Sequence, residues 1–423
     1  MVLIKKARIL NTPSAHHNKV RDVLIVDGLI KEIGKITEEA DQVISGKDVF
    51  LSAGFFDLRS FSKEPGQEAM ETLESLSLAA AKGGYTDLLI MPNTDPVIQT
   101  KGLVNYFKNF SKTSLTSLHP AGAVTLENKG ESFTEMWDLH EAGALAFTDG
   151  QAPIWNADIL YKSLQYLYPK RALLMNRPEE PALAVFGQMH EGITSTRMGT
   201  KGIPSEAEEI MVMRDLKLLE YADLNSETPL LHFSCISTAS AVSLIRKAKA
   251  KGLPVSCDVA AHQLAFTDED LTSFDTNLKV SPPFRSSKDV RALLKGLEDG
   301  TIDAIVSDHN PLDAEHKNLE FDLAEFGVIG LQTAFSAAFT HGIENPEKLV
   351  ALFAENPRKL LKEDIPEIGI NEMATVTVFD LAAETSYDAN NLVSKSKNSP
   401  FLGRTLKGKI LATLNKGHVQ INN

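Results

Sequence analysis

The chain contains little cysteine: among its 423 residues only Cys235 and Cys257 are cysteines. They form no CxxC pair, so a disulfide framework is not expected and a reducing compartment fits. Long hydrophobic runs are also lacking, because no stretch approaches the ~20 apolar residues that cross a bilayer. The first residues do not resemble a signal peptide. The sequence therefore predicts a cytoplasmic protein that does not act on membranes.

An excess of positive charge is lacking as well. Lysine and arginine number 43 against 56 aspartates and glutamates, which gives a formal net charge of −13. Nucleic-acid binding needs a basic face, so no nucleic-acid partner is expected. The hydrophobic share of 43% and charged share of 23% are those of an ordinary globular protein. The length allows one large domain and one smaller domain.

Both ends of the chain carry short runs typical of β-strands. Near the N-terminus, Asp27-Gly28 lies between two apolar runs, which predicts a hairpin. Similar runs return at residues 374–380 and 408–414. We therefore expect residues 1–50 and 366–423 to form one small β-sandwich domain that is built from both termini.

Between the two ends, short apolar runs alternate with segments of helical periodicity. One such helix is predicted over residues 237–251, with Ser237 or Thr238 as its cap and Gly252 after its end. This alternation predicts a TIM-type (β/α)8 barrel over residues 51–365. The predicted strands lie at residues 49–58, 85–91, 118–124, 144–148, 172–175, 229–235, 253–259 and 303–307.

Unusual polar residues fall where these predicted strands end. In a TIM-type barrel, active residues lie at the carboxyl ends of the strands and in the loops that follow. We therefore expect a shared site formed by Arg59, Asn93, Asp149, Arg177, Cys235, His262 and Asp308.

The segment at residues 57–66, DLRSFSKEPG, resembles the first metal-binding segment of the dihydroorotases, a branch of the amidohydrolase superfamily. That family has Asp-x-His-x-His-x-Arg-Glu-Pro-Gly there. The resemblance covers nearly the whole chain, because further family motifs follow in order. They are MPNT at 91–94, FTDG at 147–150, GIPSEAEE at 202–209, VSPPFR at 280–285, SDHNP at 307–311, GLQT at 330–333 and SKSKNSPF at 394–401.

In working members of the family, histidines and carboxylates hold zinc, which makes hydroxide from water. Matched to those motifs, the ligand positions here carry Arg59, Phe61, Asp149, Arg177, Cys235 and Asp308. A guanidinium offers no lone pair to a metal, and a phenyl ring offers none either. The resemblance therefore implies a chain without a metal or other cofactor, in which Asp308 is a vestige of the catalytic carboxylate. Which aspartate of the family's FTDDG segment binds metal stays open.

The residues that clamp the substrate carboxylate in the family are changed too. The resemblance places Lys63 at the arginine of the first segment, Asn93 at the asparagine of MPNT and Ser281 at the asparagine of NPP. Lysine keeps the positive charge but loses the two-pronged donor geometry of arginine. These three residues are therefore expected to be vestigial substrate-binding positions.

Several residues at the strand ends admit two interpretations. Cys235 is either a soft ligand or nucleophile, or a small buried hydrophobic residue. His262 is either catalytic or part of the pocket wall. The aspartates at 149 and 308 would face each other uncompensated unless cations stand between them. We therefore predict that Arg59 and Arg177 point into this volume and that at least one of them pairs with Asp308 or Asp149.

Two functions follow from these observations. The first is a dihydroorotase-like protein of pyrimidine biosynthesis that is not catalytic, a pseudoenzyme acting as a structural or regulatory partner of aspartate transcarbamoylase. The resemblance also implies a homo-oligomer. The alternative is an active dihydroorotase, or another cyclic-amide hydrolase with a rebuilt pocket. Its motivation is the survival of Asn93, Asp149, His232 and Asp308.

Overall fold

The structure, a computed structural model, describes residues 1–422. None of the helices in this range is both long and apolar enough to cross a membrane. The strands are β1 (Val2–Leu10), β2 (Val20–Val26), β3 (Leu29–Gly34), β4 (Gln42–Ile44), β5 (Val49–Ala53), β6 (Phe55–Ser60), β7 (Tyr85–Ile90), β8 (Ser117–Pro120), β9 (Ala146–Phe147), β10 (Leu173–Asn176), β11 (Met189–His190), β12 (Gly202–Ile203), β13 (Leu231–Phe233), β14 (Val255–Ala260), β15 (Ala304–Val306), β16 (Val376–Ser386), β17 (Thr405–Asn415) and β18 (His418–Ile421).

The helices lie mainly between the strands of the central part of the chain. They are α1 (Leu73–Lys82), α2 (Lys101–Ser111), α3 (Met136–Ala142), α4 (Ala157–Leu167), α5 (Pro181–Ala184), α6 (Ile193–Met198), α7 (Glu206–Ala222), α8 (Ala239–Ala250), α9 (Ser287–Glu298), α10 (Ala314–Lys317), α11 (Ala334–Thr340), α12 (Pro346–Val350) and α13 (Asn356–Leu361).

The two ends of the chain form one eight-stranded sheet. Its order is β18-β17-β16-β5-β1-β2-β3, with β4 paired to β1. The predicted β-sandwich is thus one continuous sheet whose strands from both ends share a core that includes Ile4, Val23, Val376 and Leu414. The predicted domain boundary after residue 50 falls inside β5, which pairs with β1 and β16. The sheet therefore keeps all of β5, and Gly54 separates it from the first barrel strand.

The predicted N-terminal hairpin is confirmed. β2 and β3 pair antiparallel, and the turn between them is Asp27-Gly28 with φ values of 51° and 80°. Positive φ at both central residues is typical of the type I′ turn, whose twist matches that of the flanking strands.

The predicted (β/α)8 barrel is confirmed. β6, β7 and β8 form one parallel ladder, and β9, β10, β13, β14 and β15 form another. Parallel bridges from Gly122 to Phe147 and from Ser60 to His309 close the ring. The short pair β11 and β12 lies outside the ring, in the connection after β10.

Helix α8 illustrates how local sequence places these elements. The Thr238 hydroxyl accepts a hydrogen bond from the Ala241 amide and caps the helix, as the sequence predicts. Val242 and Ile245 are buried on the face that packs onto the barrel. The strands are thereby held so that their carboxyl ends converge on one mouth, where the candidate site lies.

Candidate functional site at the barrel mouth

Arg59 lies at the carboxyl end of the first barrel strand, and its side chain is 1% exposed. Its Nε donates a hydrogen bond of 2.8 Å to Oδ1 of Asp308. Its Nη1 donates to the Gly150 carbonyl at 3.2 Å and to the Ser234 hydroxyl at 3.4 Å. Burial lowers the pKa of Arg59, but neighbouring acidic groups, Asp308 among them, raise it by more, so the pKa lies above its usual value. A fixed cation therefore stands beside the last-strand carboxylate.

Asp308 meets Arg59 from the end of the last barrel strand. Its φ is 47°, in the left-handed region that residues other than glycine rarely adopt. Such strained positions cluster at functional sites, where the surrounding structure enforces them. The predicted pairing of an arginine with Asp308 is confirmed.

Phe61 and Cys235, at two further positions where the resemblance places metal ligands, are both buried. They belong to one hydrophobic cluster inside the barrel, together with Leu58, Met91 and Met175. Burial raises the pKa of the Cys235 thiol well above its usual value. Metals and electrophiles react with the thiolate, so the structure supports the interpretation of Cys235 as a small buried hydrophobic residue.

Asp149 turns its carboxylate toward the loop after β8. Its Oδ1 accepts hydrogen bonds from the amides of Val124 at 3.0 Å and Thr125 at 2.9 Å, and its Oδ2 accepts one from the Thr125 hydroxyl at 2.6 Å. Burial raises the pKa of Asp149 to about 6, against the opposing effect of these hydrogen bonds. The carboxylate is satisfied locally and has no arginine partner within residues 1–422.

Within residues 1–422, Arg177 forms no ion pair with Asp149 or Asp308, so Arg59 alone fulfils the prediction that at least one arginine pairs with one of these aspartates. The Nη2 and Nη1 atoms of Arg177 lie 2.7 and 3.3 Å from the two carboxylate oxygens of Glu179. Its Nε donates to the Gln151 carbonyl at 2.8 Å. A carboxylate two residues along the chain offers charge-assisted bonds to both arms of the fork, which is the strongest arrangement available to a guanidinium.

The three expected substrate positions differ in what they contact. Asn93 donates to the Asp149 carbonyl at 3.1 Å and accepts from the Gln151 amide at 3.0 Å, so both ends of its side chain hold the turn after β9. The Ser281 hydroxyl accepts from Arg177 at 3.0 Å. Lys63 is half-buried, and burial lowers its pKa to about 8.

A buried polar network that the sequence analysis did not find extends from Arg59 into the barrel. Ser234 joins Arg59 to Asp258, with its hydroxyl 3.3 Å from the carboxylate. His232 contacts Asp258 through Nε2 and Ser256 through Nδ1, both at 2.8 Å. Ser256 and Asp258 stand two residues apart on β14 and so face the same side. In the sequence, the signal for this network was the two-residue spacing of Ser256 and Asp258, together with the presence of His232.

His262 follows β14 and lies in the wall of the mouth, 3% exposed. Burial lowers its pKa to about 4. Its ring meets Phe284 edge-on, with 5.6 Å between the centroids. Its Nε2 has no hydrogen-bond partner within residues 1–422. The imidazole is neutral and packed against an aromatic ring, which supports its interpretation as a wall residue.

The side chains at the family's ligand positions do not fit zinc. Within residues 1–422, no group of three or more His, Cys, Asp or Glu side chains is arranged to hold a metal ion. Of the donors at these positions, Asp308 bonds to Arg59, Asp149 bonds to the loop after β8, and Cys235 is a protonated thiol. The Arg59 cation would also repel a dication.

The family model described as dihydro-orotase-like matches residues 48–238. The dihydroorotase of Citrifermentans bemidjiense is 38% identical over 424 residues, covering 99% of each chain. The dihydroorotase of Pelotomaculum thermopropionicum is also 38% identical over 424 residues, covering 99% of this chain and 98% of that one.

Solved structures show the same fold. The L-hydantoinase (dihydropyrimidinase) of Arthrobacter aurescens superposes with a TM-score of 0.83 at 23% identity, covering 100% of this chain and 97% of that chain. A D-hydantoinase gives a TM-score of 0.80 at 20% identity, covering 99% of this chain and 95% of that chain. The motifs, the fold and the full-length similarity agree: this chain belongs to the dihydroorotase-like family of amidohydrolases.

Proposed function

We propose that this chain is a dihydroorotase-like protein of pyrimidine biosynthesis whose barrel does not hydrolyse the cyclic amide, and which acts as a structural or regulatory partner. The observation that carries the proposal is the buried ion pair between Arg59 and Asp308, 2.8 Å long. It sets a guanidinium at a histidine position of the family and engages the carboxylate that would move protons.

The size of the contribution that a metal makes to activating water supports a loss of catalysis. A zinc ion lowers the pKa of bound water from about 15.7 to about 7. At about 1.36 kcal/mol for each pKa unit, this amounts to roughly 12 kcal/mol of nucleophile activation. A fixed arginine stabilises an oxyanion but cannot generate hydroxide. The chain's own residues therefore lack a source of the nucleophile, and no metal or other cofactor is proposed for this barrel.

The alternative function is a cyclic-amide hydrolase with a rebuilt pocket. The observation in its favour is His262, whose buried Nε2 lacks a partner within residues 1–422 and is held neutral at physiological pH. A neutral imidazole can accept a proton. Turnover of dihydroorotate or a related cyclic amide by the purified protein, abolished in the His262→Gln variant, would establish this alternative.

For the partner we propose aspartate transcarbamoylase, on the strength of the family resemblance. The chain keeps 38% identity over 99% of its length with proteins named dihydroorotase, although four of the metal-ligand positions carry other residues. This combination fits a protein that acts through its fold and its surface and not through catalysis. Such a partner requires no chemistry at the barrel mouth.

The test is a mixing experiment with the aspartate transcarbamoylase of the same organism. Size-exclusion chromatography with light scattering is run on each protein alone and on the mixture, and serum albumin serves as an acidic control. We expect a new species that contains both proteins, and no such species with albumin. Separate elution of the two proteins at tens of micromolar would rule out aspartate transcarbamoylase as the partner.

A further inference from the structure

A polar groove lies between α6 and residues 268–272, which belong to the segment that follows β14. Its volume of about 660 Å³ is within the range of small-molecule sites, which is about 300–1,000 Å³. Ile193 is the one large apolar side chain among the residues that line it, and four of the others carry hydroxyl groups. A ligand that fills this groove must therefore be polar.

Asp268 lines this groove with a buried carboxylate that has no partner. The residue is 8% exposed, and its amide donates a hydrogen bond of 3.0 Å to the Arg285 carbonyl, just before α9. Within residues 1–422, its carboxylate accepts no hydrogen bond and forms no ion pair, and the neighbouring Glu269 carboxylate is unpaired as well. Because an unpaired buried charge is costly, the groove has an unused site for a cation.

Positive charge reaches the same groove from α6 and from the start of α9. Arg197 on α6 is exposed, lines the groove and belongs to no ion pair within residues 1–422. Ser287, which also lines the groove, is the first residue of α9, a helix of 12 residues. Backbone amides at the start of a helix favour a negatively charged group. The groove therefore also suits a carboxylate.

His190 adds a neutral donor to the groove wall. Its Nδ1 lies 3.3 Å from Nη1 of Arg285, and because a guanidinium can only donate, Nδ1 is the acceptor. Burial, together with repulsion from Arg285, lowers the pKa of His190. The imidazole is therefore neutral with its proton on Nε2, and this nitrogen has no partner within residues 1–422.

We propose that this groove binds a zwitterionic α-amino acid, whose ammonium group pairs with Asp268 and whose carboxylate is held by Arg197 and by Nε2–H of His190. A simple amine would leave Arg197 unpaired, and a simple carboxylate would leave Asp268 unpaired. A molecule that carries both charges satisfies both sides of the groove. The hydroxyl of Thr194, a residue only 9% exposed, is available to a polar side chain of the ligand. The proposal uses no residue of the barrel mouth, so it stands or falls apart from the proposed function.

The first test is a binding screen on the intact protein. Each of the common amino acids is added alone at about 10 mM in a thermal-unfolding assay, and those that raise the melting temperature are titrated by calorimetry. We expect at least one amino acid to bind with a Kd below about 1 mM. Ethylamine and acetate, which carry one charge each, should bind at least about tenfold more weakly. Absence of binding by every amino acid, or ethylamine or acetate binding as tightly as the best of them, would overturn the proposal.

The second test assigns the binding to the groove. Asp268→Asn and Arg197→Gln should each weaken binding of that amino acid at least about tenfold. The matched control is Glu39→Gln, which removes an exposed carboxylate between β3 and β4 and should leave the affinity unchanged. Without ligand, Asp268→Asn should melt at or above the temperature of the parent protein, because it removes an unpaired buried charge. Unchanged affinity in both groove variants, or a clear fall in the melting temperature of Asp268→Asn, would overturn the proposal.

Discussion

Arg59 and Asp308 join the first barrel strand to the last through a hydrogen bond of 2.8 Å that is almost wholly shielded from water. The resemblance places metal ligands of the family at both positions, and the pair gives the Asp308 carboxylate a counter-charge. Because the charge belongs to a side chain, it cannot be removed by chelation and cannot activate water. The contribution of this pair to stability can be measured directly.

Replacing Arg59 by alanine should destabilise the fold. The change leaves Asp308 buried without a cation and removes the guanidinium that lies 5.1 Å from the Phe61 ring centroid, so we expect a loss of about 3–5 kcal/mol in the free energy of unfolding. Urea denaturation monitored by circular dichroism measures it. The control is Arg246→Ala, which removes an exposed pair with Asp299, and it should cost less than about 1 kcal/mol. Equal effects of the two variants would contradict this role of the pair.

Restoring two histidines should not restore catalysis. Arg59→His with Phe61→His recreates one ligand pair, but Cys235 still fills a ligand position and Arg177 still holds Glu179. We expect weak zinc binding at most and no measurable dihydroorotase turnover, because the metal, the base and the substrate clamp are needed together. Histidine at all four positions, with Lys63→Arg, is the smallest set expected to show turnover. Clear turnover from the double variant would favour the enzyme interpretation.

The two cysteines should be unreactive in the folded protein. Cys235 and Cys257 are both buried, and burial raises the pKa of each thiol well above its usual value. A thiol-specific chromogenic reagent should therefore titrate no thiol in native protein and two after unfolding in guanidinium chloride. Rapid labelling of Cys235 in native protein would instead support its interpretation as a nucleophile or soft ligand.

His262 should make the protein sensitive to mild acid. Burial lowers its pKa to about 4 from about 6.5, so between these values the unfolded chain takes up a proton that the folded chain refuses. Stability should therefore fall as the pH drops from about 6.5 to about 4, by up to about 3 kcal/mol.

His262→Gln should flatten this dependence, as measured by urea unfolding at intervals of half a pH unit. The control is His418→Gln, which replaces an exposed histidine on β18 and should keep the slope of the parent protein. A His262→Gln variant with the parent slope would show that other groups cause the acid sensitivity.

The sequence was sufficient for the barrel because buried parallel strands and amphipathic helices leave strong periodic patterns. It was also sufficient to predict that an arginine would pair with one of the two aspartates, because these residues follow strands that end at the same mouth. It did not predict the partner of Arg177, which is Glu179, two residues along the chain. The sequence could not predict the direction in which the Asp149 carboxylate points. Its hydrogen-bond donors include backbone amides, and because nearly every residue carries one, they leave no signal in the sequence.

The boundary of the terminal sheet could not be predicted from the sequence either. The run at residues 49–58 reads as one apolar strand, but it is divided at Gly54 between the sheet and the barrel. A β-carbon at Gly54 would clash with the Thr86 side chain, so the division depends on a close tertiary contact. Local patterns carry no information about such a contact.

The most direct measurement is the zinc content of the purified protein together with its dihydroorotase activity. The protein is purified without chelators, analysed by inductively coupled plasma mass spectrometry and assayed with and without added zinc. If the Arg59–Asp308 pair replaces the metal, zinc should lie far below one equivalent per chain and no turnover should appear under either condition. One equivalent of tightly bound zinc, with turnover of dihydroorotate, would contradict that conclusion.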